Sequence, residues 1–178
     1  MKWWNDIKNY FYKRSLEQRI TQSKPQHAII NMPQVHTVGI VFDSTNPAND
    51  SAVLSFAEQL KSAGKEVELL GFVNDKKTES KPGITIFNRK ALNWLDIPTT
   101  EPIESFAQKK FDLLLACFTG EHLTLEYLTA ISNARWRVGA YAENKTGFYD
   151  MMINVGDKTD LQYLLDQSVY FLNYIKAA

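Results

Sequence analysis

Polar residues at the predicted carboxyl ends of strands are the candidates for a ligand site. Asp43 ends a strand predicted over residues 36–43, and Ser44 and Thr45 lie between it and a helix start at Pro47. Ligands bind beyond the carboxyl ends of parallel strands, and a helix start offers free N–H groups and a dipole that favour an anion. The alternative is an ordinary turn with a helix cap. The candidate ligand-binding residues are Asp43, Ser44, Thr45, Asn88, Lys90, Asn93 and Thr119.

Five strand-end segments meet in one crevice if the strands are parallel. Together they supply hydroxyls, amides, carboxylates and cations, which are the groups that recognise a polar or phosphorylated small molecule. The segments are residues 43–46, 74–75, 88–90, 119–122 and 143–145. The position in the fold supports a ligand site only by analogy, so the ligand stays open.

Two other sets of residues could bind a metal or react as a nucleophile, but their surroundings argue against both roles. His122 and Glu126 are four residues apart and supply two ligands of a metal site, but a protein metal site needs a third. We therefore favour an exposed histidine at a helix start and predict no metal. Cys117 lies inside an apolar strand, where burial raises the pKa of a thiol and makes it unreactive. The sequence does not indicate a cofactor.

The common catalytic signatures are absent. The eight glycines form neither a Walker A loop nor a G-x-G-x-x-G fingerprint. There is no G-x-S-x-G elbow, H-E-x-x-H pair or C-x-x-C either. Asp43 ends a first strand, as in receiver domains and acid-cluster phosphatases, but these need further carboxylates for magnesium, and Phe42 precedes it. P-loop NTPases, standard dehydrogenases, α/β-hydrolases and zinc proteases are therefore disfavoured.

The elements that position the candidates alternate between strand and helix. Residues 36–43, a helix from Pro47 that ends near Gly64, and residues 66–73 form a strand–helix–strand unit, which implies a right-handed crossover. Residues 111–118 are apolar nearly throughout and predict a central strand. We predict an α/β three-layer sandwich with a mostly parallel, Rossmann- or flavodoxin-like sheet of five or six strands and an N-terminal helical arm. No internal repeat is visible.

The chain is predicted to divide into a basic, aromatic helical arm (1–24), a linker (25–34) and an α/β domain (35–178). The arm has a net charge of +4 and the rest of the chain −4. At helical spacing the arm has two apolar stripes on nearly opposite sides. One stripe is Trp3, Ile7, Tyr10 and Phe11, and the other is Tyr12, Leu16 and Ile20.

Two apolar sides favour packing against protein over one-sided contact with a membrane. A homo-oligomer or a protein partner would use Trp3, Trp4, Ile7 and Phe11. Weak contact with a membrane surface is the second interpretation, and no nucleic acid is expected. Within the chain, Tyr163, Tyr170 and Tyr174 of the last helix are the predicted platform for the arm.

The composition indicates a cytoplasmic protein. A single cysteine allows no disulfide within the chain, and the N-terminus lacks the apolar segment of a secretory signal. The longest apolar run, residues 113–118, is far shorter than the roughly 20 residues that span a bilayer. The formal net charge is zero, which argues against a protein that binds polyanions with its whole surface.

Three stretches carry a family resemblance. Residues 87–98 (FNRKALNWLDIP), 111–141 (with FDLLLACF, LEYL and ARWRVGAY) and 149–153 (YDMMI) resemble an uncharacterised bacterial family, a domain of unknown function. The resemblance implies a Rossmann-like sandwich without an assigned activity over most of residues 35–176. Some residues of these stretches are more specific than a core requires, but they also have structural explanations. Asn93 can close a turn, and Gly139 can allow close packing.

These observations favour a non-catalytic α/β domain that binds a small ligand or a protein. An enzyme acting on a nucleotide-like or phosphorylated substrate at the strand ends is one alternative. A peripheral membrane protein anchored by the arm is another. Whether the chain is an enzyme stays open at this point, because no catalytic constellation is visible.

Overall fold

The computed structural model describes residues 2–22, 28–143, 145–158 and 160–175. The strands of this part of the chain are β1 (Thr37–Asp43), β2 (Glu66–Val73), β3 (Thr85–Asn88), β4 (Leu113–Cys117), β5 (Trp136–Ala140) and β6 (Met151–Ile153). Its α-helices are α1 (Lys2–Gln22), α2 (Pro47–Ser62), α3 (Glu101–Gln108), α4 (Leu123–Ile131) and α5 (Leu161–Tyr174). The predicted arm–linker boundary at residue 24, and Asn144 of the predicted segment 143–145, lie outside the described residues.

The six strands form one all-parallel sheet in the order β3-β2-β1-β4-β5-β6. The predicted α/β fold with a parallel sheet is therefore confirmed. β1 and β4 are neighbours, with Val38 paired with Leu113 and Phe42 with Cys117. The strand order reverses between these two strands, and this is where ligands bind in open parallel sheets.

Helices cover both faces of the sheet and make a three-layer sandwich. α2 and α5 pack on one face, and α1, α3 and α4 pack on the other, each over its own apolar core. Every residue of β4 and β5 is buried, which explains their nearly continuous apolar sequences. Cys117 lies in β4, where burial raises the pKa of its thiol as expected.

The sheet consists of two halves built in the same order. The β1 half runs β1, α2, β2, a connection over residues 74–84, and β3. The β4 half runs β4, α4, β5, a connection over residues 141–150, and β6. Neither connection contains a described helix, although each joins parallel neighbours. The two halves therefore share an architecture that appears in no sequence repeat.

α1 packs against α4, on the opposite side of the sheet from α5. Tyr12 and Leu16 of the second predicted stripe are buried there. The Tyr12 hydroxyl donates a hydrogen bond to the Leu123 carbonyl (2.8 Å), and its ring centroid lies 6.0 Å from that of Tyr127. Burial, reinforced by nearby charges, raises the pKa of Tyr12, so its hydroxyl stays protonated.

The prediction that the arm docks on the tyrosines of the last helix is wrong. All residues from Thr124 to Ile131 of α4 are buried, so this helix is covered on both its inner and outer sides. A mostly apolar helix needs a cover on its outer side as well, and α1 provides it. Tyr170 and Tyr174 of α5 stay exposed. The division into arm, linker and domain stays a prediction, and none of the described helices is long and apolar enough to cross a bilayer.

Candidate functional site

The carboxyl edge of the β1 half carries a closed polar cluster. The ammonium of Lys81 donates to the Ser44 carbonyl (2.9 Å), to Ser44 Oγ (2.8 Å) and to Asp50 Oδ2 (2.6 Å). Ser44 Oγ in turn donates to Asp50 Oδ1 at 2.5 Å. Asp50 lies in the first turn of α2, where the helix dipole favours an acid, and Lys81 comes from the connection between β2 and β3.

Ser44 is held inside this cluster and is only 1% exposed. Gly71 of β2 makes the burial possible, because a Cβ at Gly71 would lie 2.9 Å from the Ser44 Cβ. The Ser44 hydroxyl accepts a hydrogen bond from Lys81 and donates one to Asp50. These contacts give Ser44 a structural role at the end of β1.

The β4 half repeats the ion pair but leaves space beside it. Glu126 lies in the first turn of α4, as Asp50 does in α2, and is only 2% exposed. Its Oε2 accepts from Lys145 Nζ at 2.6 Å, and its Oε1 accepts the backbone N–H of His122 at 3.2 Å. Lys145 comes from the connection between β5 and β6, the counterpart of the connection that carries Lys81.

A cavity of about 250 Å³ opens next to Glu126. It lies beyond the carboxyl ends of β4 and β5 and has a buried floor and an open rim. The buried floor and wall contain Phe118, Glu126, Ala140 and Tyr149, and the rim contains Gly120, Glu121, Tyr141, Ala142, Glu143 and Lys145. Three carboxylates and one ammonium line it, so its formal charge is negative. We regard this cavity as the candidate functional site.

Tyr149 forms one wall of the cavity and packs on the bare backbone of Gly139. A Cβ at Gly139 would lie only 2.4 Å from the Tyr149 ring, so this position has to be glycine, as the sequence suggested. Burial, reinforced by the nearby Glu126 carboxylate, raises the pKa of Tyr149, and its hydroxyl stays protonated. Asp150 fixes the end of the connection by accepting from the Arg137 backbone N–H at 2.8 Å and from its Nε at 3.1 Å.

The reversal of strand order between the halves carries a histidine and a carboxylate. His122 Nε2 lies 4.0 Å from Asp43 Oδ2, across the ends of β1 and β4. The imidazole packs against Phe72 and Phe118, with ring centroids 5.3 and 5.7 Å away. Burial lowers the pKa of His122, although the carboxylates of Asp43 and Glu126 oppose the shift. The predicted exposed histidine is thus partly buried, and its neutral form can accept a proton.

The other predicted site residues lie along the same edge. Asp43 Oδ1 accepts the Thr45 N–H at 2.9 Å, and Thr45 Oγ1 accepts the N–H of Asn74 at 2.9 Å. Thr119 follows β4 on the way to His122 and is partly buried. Asp43, Ser44, Thr45 and Thr119 therefore lie near the strand reversal. Their role in ligand binding stays a prediction.

Asn88, Lys90 and Asn93 lie farther out, beyond β3. Asn88 caps a short 3-10 turn by accepting the N–H of Lys90 at 3.0 Å, and both residues line a separate open pocket of about 310 Å³. Asn93 Oδ1 accepts the backbone N–H groups of Leu95 (2.9 Å) and Ile97 (3.2 Å). Asn93 thus closes a turn, which the sequence offered as the alternative to a binding role.

Sequence reasoning did not select Lys81, Tyr149 or the structural role of Asp50, and it included Lys145 only as part of the segment 143–145. One signal was available: Glu126 is the single charged residue of α4, a mostly apolar helix, and a buried carboxylate requires a cation. Its partner Lys145 is 19 residues away in sequence, and Lys81 is 31 residues from Asp50. In the described part of the chain, no three His, Cys, Asp or Glu side chains are grouped so that they could hold a metal ion.

Comparisons with known proteins place the chain in a family and give no activity. No curated protein and no solved structure matches it. The family match extends over most of α1, both halves of the sheet and α5, and so includes every residue of the cavity. The resemblance seen in the sequence is confirmed: residues 8–175 match the model of the family of unknown function DUF6913, and the chain belongs to this family.

Proposed function

We propose that this protein is a binding domain for a small organic cation, such as a primary amine, held in the cavity beside Glu126. The observation that carries the proposal is a buried carboxylate at the floor of a cavity at the carboxyl edge of a parallel sheet. Open parallel sheets bind ligands at this edge, and a concave site with a few polar groups in an apolar wall is typical of small-molecule binding.

The charge of the lining supports a cationic ligand. Glu121, Glu126 and Glu143 oppose the single ammonium of Lys145, which leaves a formal excess of two negative charges. Walls with one sign of charge raise the local concentration of the opposite ion. An anionic or phosphorylated ligand would meet these carboxylates directly.

The aromatic walls support the same ligand class. The rings of Tyr141 and Tyr149 line the cavity, and an ammonium over an aromatic face is attracted by the ring quadrupole. The volume of about 250 Å³ lies just below the roughly 300–1,000 Å³ of typical ligand pockets, so the ligand is small. The hydroxyl of Tyr149 stays protonated and can donate to a polar group on the ligand.

Lys145 has a specific part in this proposal. A buried carboxylate without a cation is costly, and the 2.6 Å ion pair with Lys145 prevents this in the empty protein. A ligand ammonium that displaces Lys145 preserves the charge balance of Glu126. The displaced lysine lies in the connection 141–150, where its side chain can move to solvent because it is already partly exposed.

Binding without catalysis fits the polar groups along this edge of the sheet better than a reaction on a phosphorylated substrate does. The predicted anion site before α2 has an acid, Asp50, in its first turn, and the Asn46 side chain already accepts the Ala48 N–H. The Ser44 hydroxyl is committed to Asp50 and Lys81. The cytoplasm stays the proposed compartment.

The proposal is tested by thermal unfolding of the full chain with and without agmatine, cadaverine or choline. A ligand at 100 times its Kd stabilises a protein by about 2.7 kcal/mol, which raises Tm by roughly 5–10 °C at this size. We expect at least one amine to stabilise the wild type and to lose its effect in Glu126→Gln. Asp50→Asn is the matched control, because it changes the equivalent carboxylate in the half without the cavity.

Inorganic phosphate and adenosine monophosphate serve as the competing ligand class. If either stabilises the protein while no amine does, the cation proposal is wrong and the phosphorylated-substrate alternative gains support. Equal stabilisation of the wild type and Glu126→Gln by an amine would show that the ligand binds elsewhere.

A further inference from the structure

The outer face of α1 carries a patch of exposed aromatic rings, separate from the cavity. Trp4 and Phe11 lie against Trp94, with ring centroids 6.3 and 6.0 Å apart, and Trp3 lies 5.9 Å from Trp4. We call Trp3, Trp4, Phe11 and Trp94 the aromatic patch. All four side chains are 45–65% exposed, although Trp94 is more than 80 residues from the others in sequence. The fold thus gathers large apolar rings at the surface rather than burying them.

Exposed rings in one contiguous patch mark a contact site, whereas single exposed apolar residues are ordinary. The opposite side of α1 is already used, since Tyr12 and Leu16 pack against the body of the protein. α1 therefore has one side fixed to the protein and one side available. The available side carries the stripe that contains Trp3 and Phe11.

The charge around the aromatic patch is positive. α1 contains five basic and two acidic residues, and two of the bases, Lys8 and Arg19, are paired with Asp96 and Glu104. Arg14 follows Tyr10 and Phe11 by four and three residues, so it lies on the same helix face and is exposed. Lys90 is exposed four residues before Trp94, and the acid nearest to Trp94, Asp96, is paired with Lys8 at 2.5 Å.

We propose that the aromatic patch binds a membrane surface that contains anionic lipids. Tryptophan prefers the headgroup level of a bilayer, and a helix face with Trp, Phe and cations lies in that plane. Each lysine or arginine near an anionic surface adds attraction. The body of the protein holds α1 parallel to the surface, so the rings enter the headgroup region without any segment crossing the bilayer.

A second copy of the chain fits the same face less well. Most homo-oligomers are two-fold dimers, in which a patch contacts itself, and this would place two positively charged helices together. The charge therefore favours an anionic lipid surface over self-association.

The test is sedimentation of the full chain with vesicles of 70% phosphatidylcholine and 30% phosphatidylglycerol, and with vesicles of phosphatidylcholine alone. We expect binding to the anionic vesicles, weaker binding in high salt, and about a tenfold weaker apparent affinity for the neutral vesicles. A Phe11→Ser/Trp94→Ser variant should lose about tenfold in affinity for the anionic vesicles, because two of the four rings are gone. Tyr170→Ser/Tyr174→Ser is the matched control, since it removes two exposed rings from α5.

Tryptophan fluorescence provides a second measurement that needs no variant. Three of the four tryptophans lie in the aromatic patch, and the fourth, Trp136, is buried in β5. Binding should shift the emission to shorter wavelength and expose it to quenching by brominated lipid. The proposal is overturned if the wild type binds neither vesicle, or if both double variants bind like the wild type. A concentration-dependent dimer that is lost in Phe11→Ser/Trp94→Ser, without vesicle binding, would identify a second copy as the occupant.

Discussion

The β1 and β4 halves place the same ion pair at equivalent positions and surround it differently. Asp50 and Glu126 each lie in the first turn of the helix after a central strand, and each meets a lysine at 2.6 Å. In the β1 half, Ser44 fills the space between the pair and the sheet. In the β4 half, a cavity of about 250 Å³ occupies the corresponding region.

The lengths of the strand–helix connections account for part of this difference. Three residues separate β1 from α2, whereas five separate β4 from α4. The shorter connection keeps Ser44 against Gly71 and within reach of Lys81. In the longer connection, the His122 N–H donates to Glu126, and Gly120 and Glu121 line the cavity beside the ion pair. One architecture thus provides a solid edge on one side and an open site on the other.

Substitution of the glycines beside the two sites, Gly71 and Gly139, should give the largest difference in the free energy of unfolding. Gly139→Ala places a Cβ 2.4 Å from the ring of Tyr149, so the ring must leave the cavity wall, and we expect a loss of about 3 kcal/mol in the free energy of unfolding. Gly71→Ala should cost about 1–2 kcal/mol, since one of its close neighbours is the flexible end of Ile86.

Urea unfolding of both variants measures these costs. Gly147→Ala is the control, because nothing lies within 4 Å of the added Cβ. If Gly71→Ala proved the more costly of the two, the Tyr149 wall would be adaptable, and the open half would be less rigid than its contacts indicate.

Removal of the lysine from either ion pair should destabilise the protein by a similar amount. Lys81→Met leaves three acceptors without their donor, two of them on the buried Ser44, and we expect a loss of about 2–3 kcal/mol. Lys145→Met removes one hydrogen bond from Glu126 and leaves this carboxylate, which is only 2% exposed, without its cation, so we expect about 3 kcal/mol.

The same two variants sharpen the functional comparison. Lys145→Met should alter amine binding because it leaves Glu126 without its competing cation, whereas Lys81→Met should leave amine binding unchanged in the folded protein. Calorimetry with the amine found in the thermal screen measures both effects. Equal changes in amine affinity would contradict the assignment of binding to the β4 half.

His122 lies between the two halves. Its protonation should make the free energy of unfolding depend on pH, and this is the smallest effect that we expect. Burial lowers the pKa of His122 below its ordinary value of 6.5, so the unfolded chain takes up a proton first as the pH falls. The free energy of unfolding should therefore decrease from about pH 6.5 towards the folded pKa and be constant above this range. His122→Gln should remove that part of the decrease.

Asp43→Asn tests the effect of the carboxylate, which opposes that of burial, on the pKa of the same histidine. The Asp43 carboxylate raises the pKa of His122 against the effect of burial, so its removal should lower that pKa further. Titration of the His122 ring by NMR measures both the wild-type value and the change. A midpoint above 6.5 in the wild type would mean that the carboxylates, rather than burial, control this histidine.

The sequence predicted the fold well where the signal is local. The β2 bounds coincide with the predicted strand, and Val53, Phe56 and Leu60 are buried on α2 as its apolar spacing indicated. Strand pattern, helix caps and the Pro47 start are short-range properties, so one sequence is sufficient to read them. The parallel sheet followed from the alternation of strands and helices.

The site was harder to predict from the sequence because it depends on contacts between distant parts of the chain. Ser44 has the residue type of an exposed turn, and only the absence of a side chain at Gly71 on the neighbouring strand explains its burial. Lys145 occurs in a polar connection, where nothing local distinguishes it from a solvated lysine. The strand-end rule selected residues 119–122 and 143–145 as segments, but it could not indicate which side chains point into a cavity.

The packing of α1 on α4 has a consequence for the order of events during synthesis. The Tyr12 hydroxyl and the Leu123 carbonyl that it contacts are 111 residues apart in the chain. At about 5–20 residues per second, the ribosome completes α4 on the order of ten seconds after α1. α1 is thus made well before the helix that it packs against, and its stripe of Tyr12, Leu16 and Ile20 remains uncovered until most of the sheet exists.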